Sequence, residues 1–269
     1  MYKMPAREQN SNKGTFGKVL NFCGSENYIG AAYLSTYSSL KVGAGFSALA
    51  TKQKIIDSVS TLLPEAVYLT REQGVEKLDE YTVVLIGCGL GLKEDSKKLM
   101  EDVLSKVSSD VPIVIDADGL NILASGFMTD ILQYKKLILT PHPLEASRLL
   151  GVSLKYVLAN LEDAAMAISR KYSCVTVLKT HRTVISDKDL NLHINQNGNS
   201  ALAKAGSGDV LAGIIAGLLA QGVDVFEASK LGVYLHSRAG EIASEELTEY
   251  SVMASDLPKY LHIAIKEIL

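Results

Sequence analysis

Four short apolar runs, none of them alternating with polar residues, constrain the fold more than any other feature of this 269-residue chain. They are Val83–Ile86, Ile113–Ile115, Leu137–Leu139 and Val175–Leu178. A strand that is apolar on both faces must be covered on both faces, which is typical of parallel strands in an α/β protein. We therefore predict a mostly parallel central sheet with helices on both faces.

Further strands and amphipathic helical stretches alternate with these runs. Strands are predicted at residues 18–23, 46–50 and 66–69. Helices are predicted at residues 31–42, 94–107, 144–150, 154–171, 208–221 and 226–245. Alternation of strands and helices implies right-handed crossovers within one sheet. Because no repeat, low-complexity tract or Pro/Ser-rich linker divides the chain, we predict one domain, residues 1–269.

Composition excludes several classes of protein. With 47% hydrophobic and 21% charged residues, the chain is expected to fold. Lys and Arg number 27 against 30 Asp and Glu, so no global field favours nucleic acid or a membrane surface. Residues 1–13 lack the apolar stretch of a secretion signal, and the apolar run 210–220 is shorter than the roughly 20 residues that cross a bilayer. We expect a cytoplasmic protein whose Cys23, Cys88 and Cys174 are buried, reduced and not part of a zinc site.

In a sheet of this kind, ligands bind at the carboxyl ends of the strands, so the residues that follow each strand are candidates. Alternating glycines in the segment Gly87–Gly91 let the backbone approach a ligand closely, although a plain tight turn is the alternative. Asp116, Asp118 and Asn121 follow the next strand. They could hold ribose hydroxyls, a metal-bound water or a carboxamide, and helix capping by Asp118 is the alternative.

A histidine and a basic segment follow the third and fourth runs. His142 lies between two prolines, and this rigidity suits a ligand contact, although an exposed loop histidine is the alternative. Thr140 could cap the helix that begins there, and Glu145 would favour the positive end of its dipole. The basic segment is Lys179, Thr180, His181, Arg182 and Thr183. It can neutralise nucleotide phosphates, unless Lys179 is an ordinary surface residue.

A glycine-rich turn that leads into a long apolar helix is the most informative segment. Gly206, Ser207 and Gly208 would point their N–H groups into the cleft and form an anion cradle, where the helix dipole also favours negative charge. Asp209, in the first helical turn, could simply complement that dipole. Beside a bound phosphoryl group, however, a second negative charge is unfavourable. We therefore interpret Asp209 as a general base that accepts the proton of an attacking hydroxyl.

Taken together, these residues resemble a known family. The segment GSGDVLAG, residues 206–213, resembles the GTGD signature of ribokinase-like enzymes. More narrowly, the set resembles the ADP- or ATP-dependent NAD(P)H-hydrate dehydratases. The matching pieces, in family order, are KGTFG (13–17), GAA (30–32), GAG (43–45), the turn at 87–91, DADGLN (116–121), TPHPLE (140–145), NGN (197–199) and AKAGSGDVLAG (203–213). They cover about residues 5–268 and are highly specific in combination.

The resemblance implies a ribokinase-like three-layer sandwich and a hydro-lyase. Such an enzyme phosphorylates the hydroxyl of the S epimer of NADHX or NADPHX. Phosphate then leaves, which restores NADH or NADPH in nicotinamide nucleotide repair, and AMP or ADP is the other product. Mg²⁺ is implied as a cofactor, and no protein ligand for a metal is assigned. ADP is favoured over ATP as the donor.

The resemblance also implies roles for individual residues, with Asp209 as the catalytic carboxylate. The predicted anion hole is Gly206, Ser207 and Gly208. The predicted substrate-binding residues are Ala32, Gly91, Asp118, Asn121, His142 and Asp209. The predicted nucleotide-binding residues are Lys179, Thr180, His181, Arg182, Thr183 and Gly208. The chain departs from the family at Thr180, where glycine is usual, at Arg182, where a small residue is common, and at Cys88, where proline is frequent.

Two alternatives to the dehydratase stay open at this point. A small-molecule kinase of the same superfamily would act on a thiazole, a pyrimidine or a sugar alcohol, because the GSGD helix does not choose the acceptor. A non-enzymatic nucleotide sensor would use the same fold without chemistry. The resemblance further implies a homotetramer and a separate epimerase protein. Tyr33, Tyr37 and Tyr234 lie on predicted helices and could face a partner subunit.

Overall fold

The computed structural model describes residues 2–126 and 134–269. Its strands are β1 Lys18–Phe22, β2 Phe46–Thr51, β3 Val67–Thr70, β4 Val83–Ile86, β5 Ile113–Ile115, β6 Leu137–Leu139, β7 Val175–Leu178, β8 Val184–Ser186 and β9 Leu192–Ile194. They form one sheet in the order β3-β2-β1-β4-β5-β6-β7-β8-β9. Neighbours from β3 to β7 are parallel, and β8 and β9 are added antiparallel. The predicted mostly parallel sheet is confirmed.

Helices connect the strands in the described residues. They are α1 Ile29–Lys41, α2 Gln53–Val59, α3 Arg71–Glu76, α4 Glu94–Lys106, α5 Asp118–Ala124, α6 Pro143–Leu150, α7 Leu154–Ala159, α8 Leu161–Tyr172, α9 Ser207–Ala220, α10 Val225–Ser251 and α11 Leu257–Lys266. None of the helices within residues 2–126 and 134–269 is both long enough and apolar enough to cross a membrane.

Two apolar cores lie on opposite faces of the sheet, because successive residues of a strand point to opposite faces. In β4, Val83 and Leu85 pack with α1, α2, α9, α10 and α11, whereas Val84 and Ile86 pack with α3 to α8. All four β4 residues are fully buried. This explains the absence of polar alternation in the sequence and confirms the predicted three-layer α/β sandwich. The prediction that residues 1–269 form one domain stays a prediction.

Some of the predicted elements need correction. The helix predicted at residues 154–171 is two helices, because Asn160 has non-helical backbone angles (φ −140°, ψ 58°) and ends α7 before α8 begins. The helix predicted at 226–245 continues to Ser251, with an interruption at Thr248 (φ 66°). Several short elements were not predicted: α2, α3, α5, α11, β8 and β9. The prediction of buried cysteines is confirmed, since Cys23, Cys88 and Cys174 are buried and free.

The helix α9 is buried along its length between the sheet and two neighbouring helices, α1 and α10. Two of its residues are glycines where α1 approaches most closely. A Cβ on Gly213 would lie 2.2 Å from the carbonyl oxygen of Ser35, and one on Gly217 would lie 2.6 Å from that of Ser39. Only glycine therefore allows the backbone of α1 to lie directly against α9, and this contact fixes the position of the α9 N-terminus.

Replacing Gly213 with alanine is expected to lower the free energy of unfolding by about 1–3 kcal/mol, because the new methyl group forces α1 away from α9. The control is Gly30→Ala, in the exposed first turn of α1, where a Cβ would meet nothing within 4 Å. That change is expected to raise stability by up to about 1 kcal/mol. Urea unfolding midpoints of the two variants check this, and a neutral or stabilising Gly213→Ala would contradict it.

Candidate active site

Three side chains from separate elements meet at the carboxyl edge of the sheet. Cys88 follows β4, Asp116 follows β5, and Asp209 lies in the first turn of α9. One ligand atom of each lies within 4.8 Å of the other two. The Cys88 Sγ lies 3.7 Å from the Asp116 Oδ2. Parallel strands place the residues that follow them at one edge, which brings Cys88 and Asp116 together, and α9 begins at the same edge.

Asp116, one of the candidates that follow β5, is the centre of a buried polar network whose contacts the sequence did not reveal. Only 1% of this residue is exposed. Its Oδ1 accepts hydrogen bonds from the Thr140 hydroxyl at 2.7 Å and from the Lys179 ammonium at 2.6 Å. Lys179 is therefore not an ordinary surface residue, because it neutralises a buried carboxylate. The one sequence signal for this role is the position of Asp116 as the first residue after β5.

The carboxyl group of Asp209 titrates near neutral pH. Burial removes water from it, and the negative charge of Asp116 adds to that effect, so that its pKa is raised to about 7. Lys179 opposes the rise. The pKa of Lys179 is itself raised, since Asp116 and Glu145 outweigh the effect of its burial. A carboxylate that is half protonated near pH 7 is suited to accept and return a proton.

Backbone groups at the start of α9 form a cradle that differs from the predicted one by one residue. Gly206 has φ +90°, a conformation that favours glycine, and no side chain caps the helix. Ser207 corrects the prediction, because its N–H donates to the Lys204 carbonyl at 3.2 Å and is not available to an anion. In the part of the chain that the structure describes, the N–H groups of Gly206, Gly208 and Asp209 have no protein acceptor. These N–H groups and the helix dipole suit an anion.

Lys179 adds a positive charge beside this helix start. Its Nζ lies 3.2 Å from the position that a Cβ on Gly208 would take. Any side chain at position 208 would therefore press on the ammonium group. Glycine at this position lets the cation, the free N–H groups and the Asp209 carboxyl lie within reach of one bound group. Such an arrangement can hold a phosphoryl group next to a proton acceptor.

A cavity of about 710 Å³ opens beside the cradle. Predicted residues that line it are His142, Lys179, Thr180, His181, Thr183, Ser207 and Gly208. The structure does not bring Arg182 into the lining, because Arg182 is exposed and its carbonyl accepts the Thr180 hydroxyl at 2.7 Å in a turn. Residues that sequence reasoning did not predict as lining are Asn197, Gly198, Asn199, Ser200, Leu202, Ala203, Lys204, Leu211, Val233, His236 and Ser237.

His236 is a buried member of the cavity wall that the sequence did not reveal. Its Nε2 lies 3.0 Å from both the hydroxyl and the carbonyl oxygen of Ser207. Burial lowers the pKa of His236 to about 4, so the ring is neutral at physiological pH. It holds Ser207, the first residue of α9, in place. The only sequence signal is a polar residue on the buried face of α10.

Of the predicted substrate-binding residues, three are engaged in hydrogen bonds within the protein and one is fully buried. Gly91 and Asp118 are joined by a 2.8 Å hydrogen bond from the Gly91 N–H to the Asp118 Oδ2. Asp118 thus braces the glycine turn and does not cap α5. The Asn121 Oδ1 accepts from Arg148 at 2.7 Å. Ala32 corrects the prediction, because it has no exposed surface and cannot touch a ligand in this structure.

His142 has a structural role in addition to lining the cavity. Its Nδ1 accepts from the N–H groups of Leu144 and Glu145, at 3.1 and 3.3 Å, and so caps α6. The expectation that Thr140 caps this helix is wrong, because the Thr140 hydroxyl is committed to Asp116. Glu145 is buried, which raises its pKa to about 7, and its carboxylate accepts from the His142 N–H at 2.8 Å. About half of the His142 side chain, 47%, stays exposed.

Comparison with known proteins places this site in a family context. The sequence profile of the family described as NAD(P)H-hydrate dehydratase matches residues 19–262. A bifunctional NAD(P)H-hydrate repair enzyme, Nnr, of Thermofilum pendens is 36% identical over 98% of this chain and 53% of its own length. An ADP-dependent (S)-NAD(P)H-hydrate dehydratase of Neisseria meningitidis is 38% identical over 89% of this chain and 81% of its own. The chain spans about half the length of the bifunctional relatives.

Solved structures of the same enzyme are also similar to this chain. The ADP/ATP-dependent NAD(P)H-hydrate dehydratase of Bacillus subtilis, co-crystallised with ATP and Mg²⁺, has a TM-score of 0.86 and 30% identity. The match covers 99% of this chain and 95% of that one. A hydroxyethylthiazole kinase of Pyrococcus horikoshii has a TM-score of 0.65 and 16% identity over 93% of this chain and 89% of that one, which shows a shared fold only.

Proposed function

The chain belongs to the NAD(P)H-hydrate dehydratase family, and from this premise we propose that it dehydrates the S epimer of hydrated NADH or NADPH at the expense of ADP or ATP. The observation that carries the proposal is the position of Asp209. A half-buried carboxyl whose pKa is about 7 lies beside free backbone N–H groups and a lysine. This is the arrangement that phosphoryl transfer to a hydroxyl requires.

The reaction follows from these groups in two stages. In the first, Asp209 accepts the proton of the hydroxyl on the hydrated nicotinamide ring, and that oxygen bonds to the terminal phosphorus of the donor as AMP or ADP leaves. The N–H groups of Gly206 and Gly208, together with Lys179, stabilise the charge on the phosphoryl oxygens. In the second stage, the C–O bond breaks, phosphate leaves with the electron pair, and loss of a ring proton restores the double bond.

The donor belongs in the cavity of about 710 Å³, which has the size of a nucleotide site. We propose that Lys179, Thr180, His181, Thr183 and Gly208 bind the adenine nucleotide, since all five line this cavity. Gly91, Asp118, Asn121 and His142 remain candidates for the hydrated nucleotide. ADP remains the favoured donor. The kinase alternative has only a likeness of fold in its favour.

The residues present fit a magnesium ion. Asp116 supplies carboxylate oxygens, the ligand type that Mg²⁺ prefers, and one of them is already engaged with Lys179 and Thr140. The remaining Asp116 oxygen would hold the ion, which leaves the Asp209 carboxylate free to accept the proton. Cys88 would not, because burial and the adjacent Cys23 thiol raise the pKa of its own thiol. A bound Mg²⁺ would shield the charge of the transferring phosphate.

The direct test of the proposal is repair of the hydrate. Purified protein is incubated with hydrated NADH, Mg²⁺ and either ADP or ATP, and the absorbance of restored NADH is followed. We expect restoration that depends on the nucleotide. Failure with both donors would end the proposal, and accumulation of a stable phosphorylated product would favour the kinase alternative.

The dependence of the rate on pH tests the role of Asp209 separately. Asp209 must be ionised to accept a proton, and its pKa is about 7. We therefore expect kcat/KM to fall about tenfold per pH unit well below pH 7 and to level off above it. Initial rates between about pH 5.5 and 8.5 check this. A profile that is flat across pH 7 would contradict the assignment of the base.

We further propose a cytoplasmic homotetramer that works with a separate epimerase. Tyr33, Tyr37 and Tyr234 are each partly exposed and remain candidates for the interface. Each already stacks on a tyrosine of the same chain, Tyr33 on Tyr37 at 5.4 Å and Tyr234 on Tyr2 at 4.2 Å. Light scattering of the purified protein tests the oligomeric state.

A further inference from the structure

One wall of the cavity beside the anion cradle is a segment with little regular structure. It comprises residues 195–204 and contains one short 3₁₀ turn, Ser200–Leu202. Residues 197–200 and 202–204 line the cavity. Within the described ranges, the backbone–backbone hydrogen bonds of residues 196–203 join only residues of the segment itself. The position of this wall therefore depends on side chains that reach it from elsewhere.

Three of those side chains come from one face of α10. They are Ser237, Glu241 and Ser244, whose spacing of four and three residues places them on the same side of the helix. The Ser237 hydroxyl accepts from the Asn195 amide at 3.0 Å, and the Ser244 hydroxyl accepts from the Asn199 amide at 2.7 Å. The wall is thus attached to α10 by a row of polar contacts, and Glu241 makes the middle one.

Glu241 is the charged member of this row, and it bonds to the backbone of the wall. Its Oε1 accepts from the Gly198 N–H at 2.6 Å. Gly198 has φ +110°, a conformation that favours glycine. Hydrogen bonds to a carboxylate are roughly twice as strong as those between neutral groups. Gly198 lines the cavity and Glu241 lies behind it, so the contact of Glu241 with the cavity passes through Gly198.

The Glu241 carboxylate is itself held in place from the other side. Its Oε2 accepts from the Arg238 guanidinium at 3.0 Å. Arg238 also donates two bonds, each of 2.8 Å, to the carboxylate of Glu267 at the end of α11. Both Glu241 oxygens are engaged, and only 23% of the side chain is exposed. The acceptor of the Gly198 N–H is therefore fixed before any ligand arrives.

A wall that is already ordered lowers the cost of binding, since fewer groups must be immobilised when the ligand enters. We propose that Glu241 is a positioning residue for the nucleotide donor. Through the Gly198 N–H, it holds the wall at residues 197–199 in the shape that binds ADP or ATP. This inference rests on the proposed function, because it takes the cavity as the donor site. Since Asp209 lies on another helix, α9, Glu241 should affect donor affinity and not the chemical step.

The test measures ADP binding by calorimetry, without hydrate, so that no turnover is needed. Glu241→Ala removes the acceptor of the Gly198 N–H, whereas Glu241→Gln keeps an oxygen acceptor of the same reach. Glu245→Ala is the matched control one turn further along α10, because Glu245 is 72% exposed and its carboxylate lies 4.0 Å from Arg238. Glu267→Gln controls for a general loosening of α10, since it disturbs the pair with Arg238 and leaves the Gly198 bond in place.

We expect Glu241→Ala to weaken ADP binding about tenfold and Glu241→Gln to weaken it at most a few-fold, because the amide oxygen can still accept from Gly198. In turnover assays, the KM for ADP should rise about tenfold in Glu241→Ala. Its kcat at saturating ADP and its KM for the hydrate should stay near the native values. Glu245→Ala and Glu267→Gln should bind ADP as the native protein does.

Native affinity for ADP in Glu241→Ala would overturn the proposal. An equal loss in Glu241→Gln would also overturn it, because the bond to Gly198 would then not be the cause. The same holds for an equal loss in Glu267→Gln, which would show that α10 as a whole had loosened. A fall in kcat with an unchanged KM for ADP would place the effect in the chemical step and contradict a positioning role.

The outcome is separable from that of the proposed function. If hydrates are not dehydrated but ADP binding depends on Glu241 in this way, the proposed function fails and the positioning role stands. If hydrates are dehydrated and the affinity for ADP does not depend on Glu241, only the positioning role is wrong.

Discussion

Replacing Asp209 with asparagine is expected to lower kcat by about 10²–10⁴-fold, while the affinity for ADP stays nearly the same. Asparagine keeps the size of the side chain but cannot accept the proton. The N–H groups of Gly206 and Gly208 and the charge of Lys179 are unaffected, so the donor should still bind. Turnover from initial rates and ADP affinity by calorimetry check the two parts, and turnover near the native level would refute the assignment of the base.

The control for this variant is Glu227→Gln. Glu227 also lies in the first turn of a long helix, α10, where its charge only complements the dipole and pairs with Lys230 at 2.8 Å. Its removal should leave the rate unchanged. Stability gives a second check. Because the pKa of the Asp209 carboxyl is raised to about 7 in the folded state, this group contributes stability below about pH 4 and loses that contribution as the pH rises through 7. The free energy of unfolding of Asp209→Asn, relative to that of the native protein, should therefore be higher at pH 8 than at pH 4.

Replacing Lys179 with methionine is expected to lower the free energy of unfolding by about 3 kcal/mol and to abolish measurable binding of ADP. The Asp116 carboxylate would be left buried without its cation, which is strongly unfavourable. The value lies at the lower end of the usual range because 19% of the Lys179 side chain is exposed. Urea unfolding and calorimetry check the two effects.

A double variant separates the structural effect from the functional one. Adding Asp116→Asn to Lys179→Met removes the unpaired charge, so stability should largely return while ADP binding should not. Lys230→Met is the matched control, because its partner Glu227 is 59% exposed and such pairs contribute at most about 1 kcal/mol. A double variant that is as unstable as Lys179→Met would show that the pair is not the cause.

The sequence predicts the parallel strands well because their burial leaves a direct trace. Val83 to Ile86 must face two cores, so no polar residue is tolerated there. The strand β9 leaves no such trace, because Leu192 lies exposed on an edge strand of three residues. The break between α7 and α8 was missed because it depends on the backbone of Asn160, whereas the apolar pattern continues across it.

The candidate site was predictable as far as it depends on topology. Residues that follow parallel strands meet at one edge, which is why Lys179 was found, whereas Asp209 was found from the glycine-rich turn before α9. The partners of these residues were not predictable, because Thr140 bonding to Asp116 and His236 bonding to Ser207 are contacts between distant parts of the chain. Two predicted contacts failed for local reasons. Ala32 is fully buried, and the Ser207 N–H is already bonded to the Lys204 carbonyl.

The glycines that let α1 lie against α9 have a consequence for the timing of catalysis. With backbone against backbone at Gly213 and Gly217, the two helices have little room to slide past each other. Asp209 is therefore anchored to a helix of the buried core, the part of a protein that opens least readily. Adjustments that accompany each turnover must then come from the surrounding loops and the ligands, while the proton acceptor stays in place.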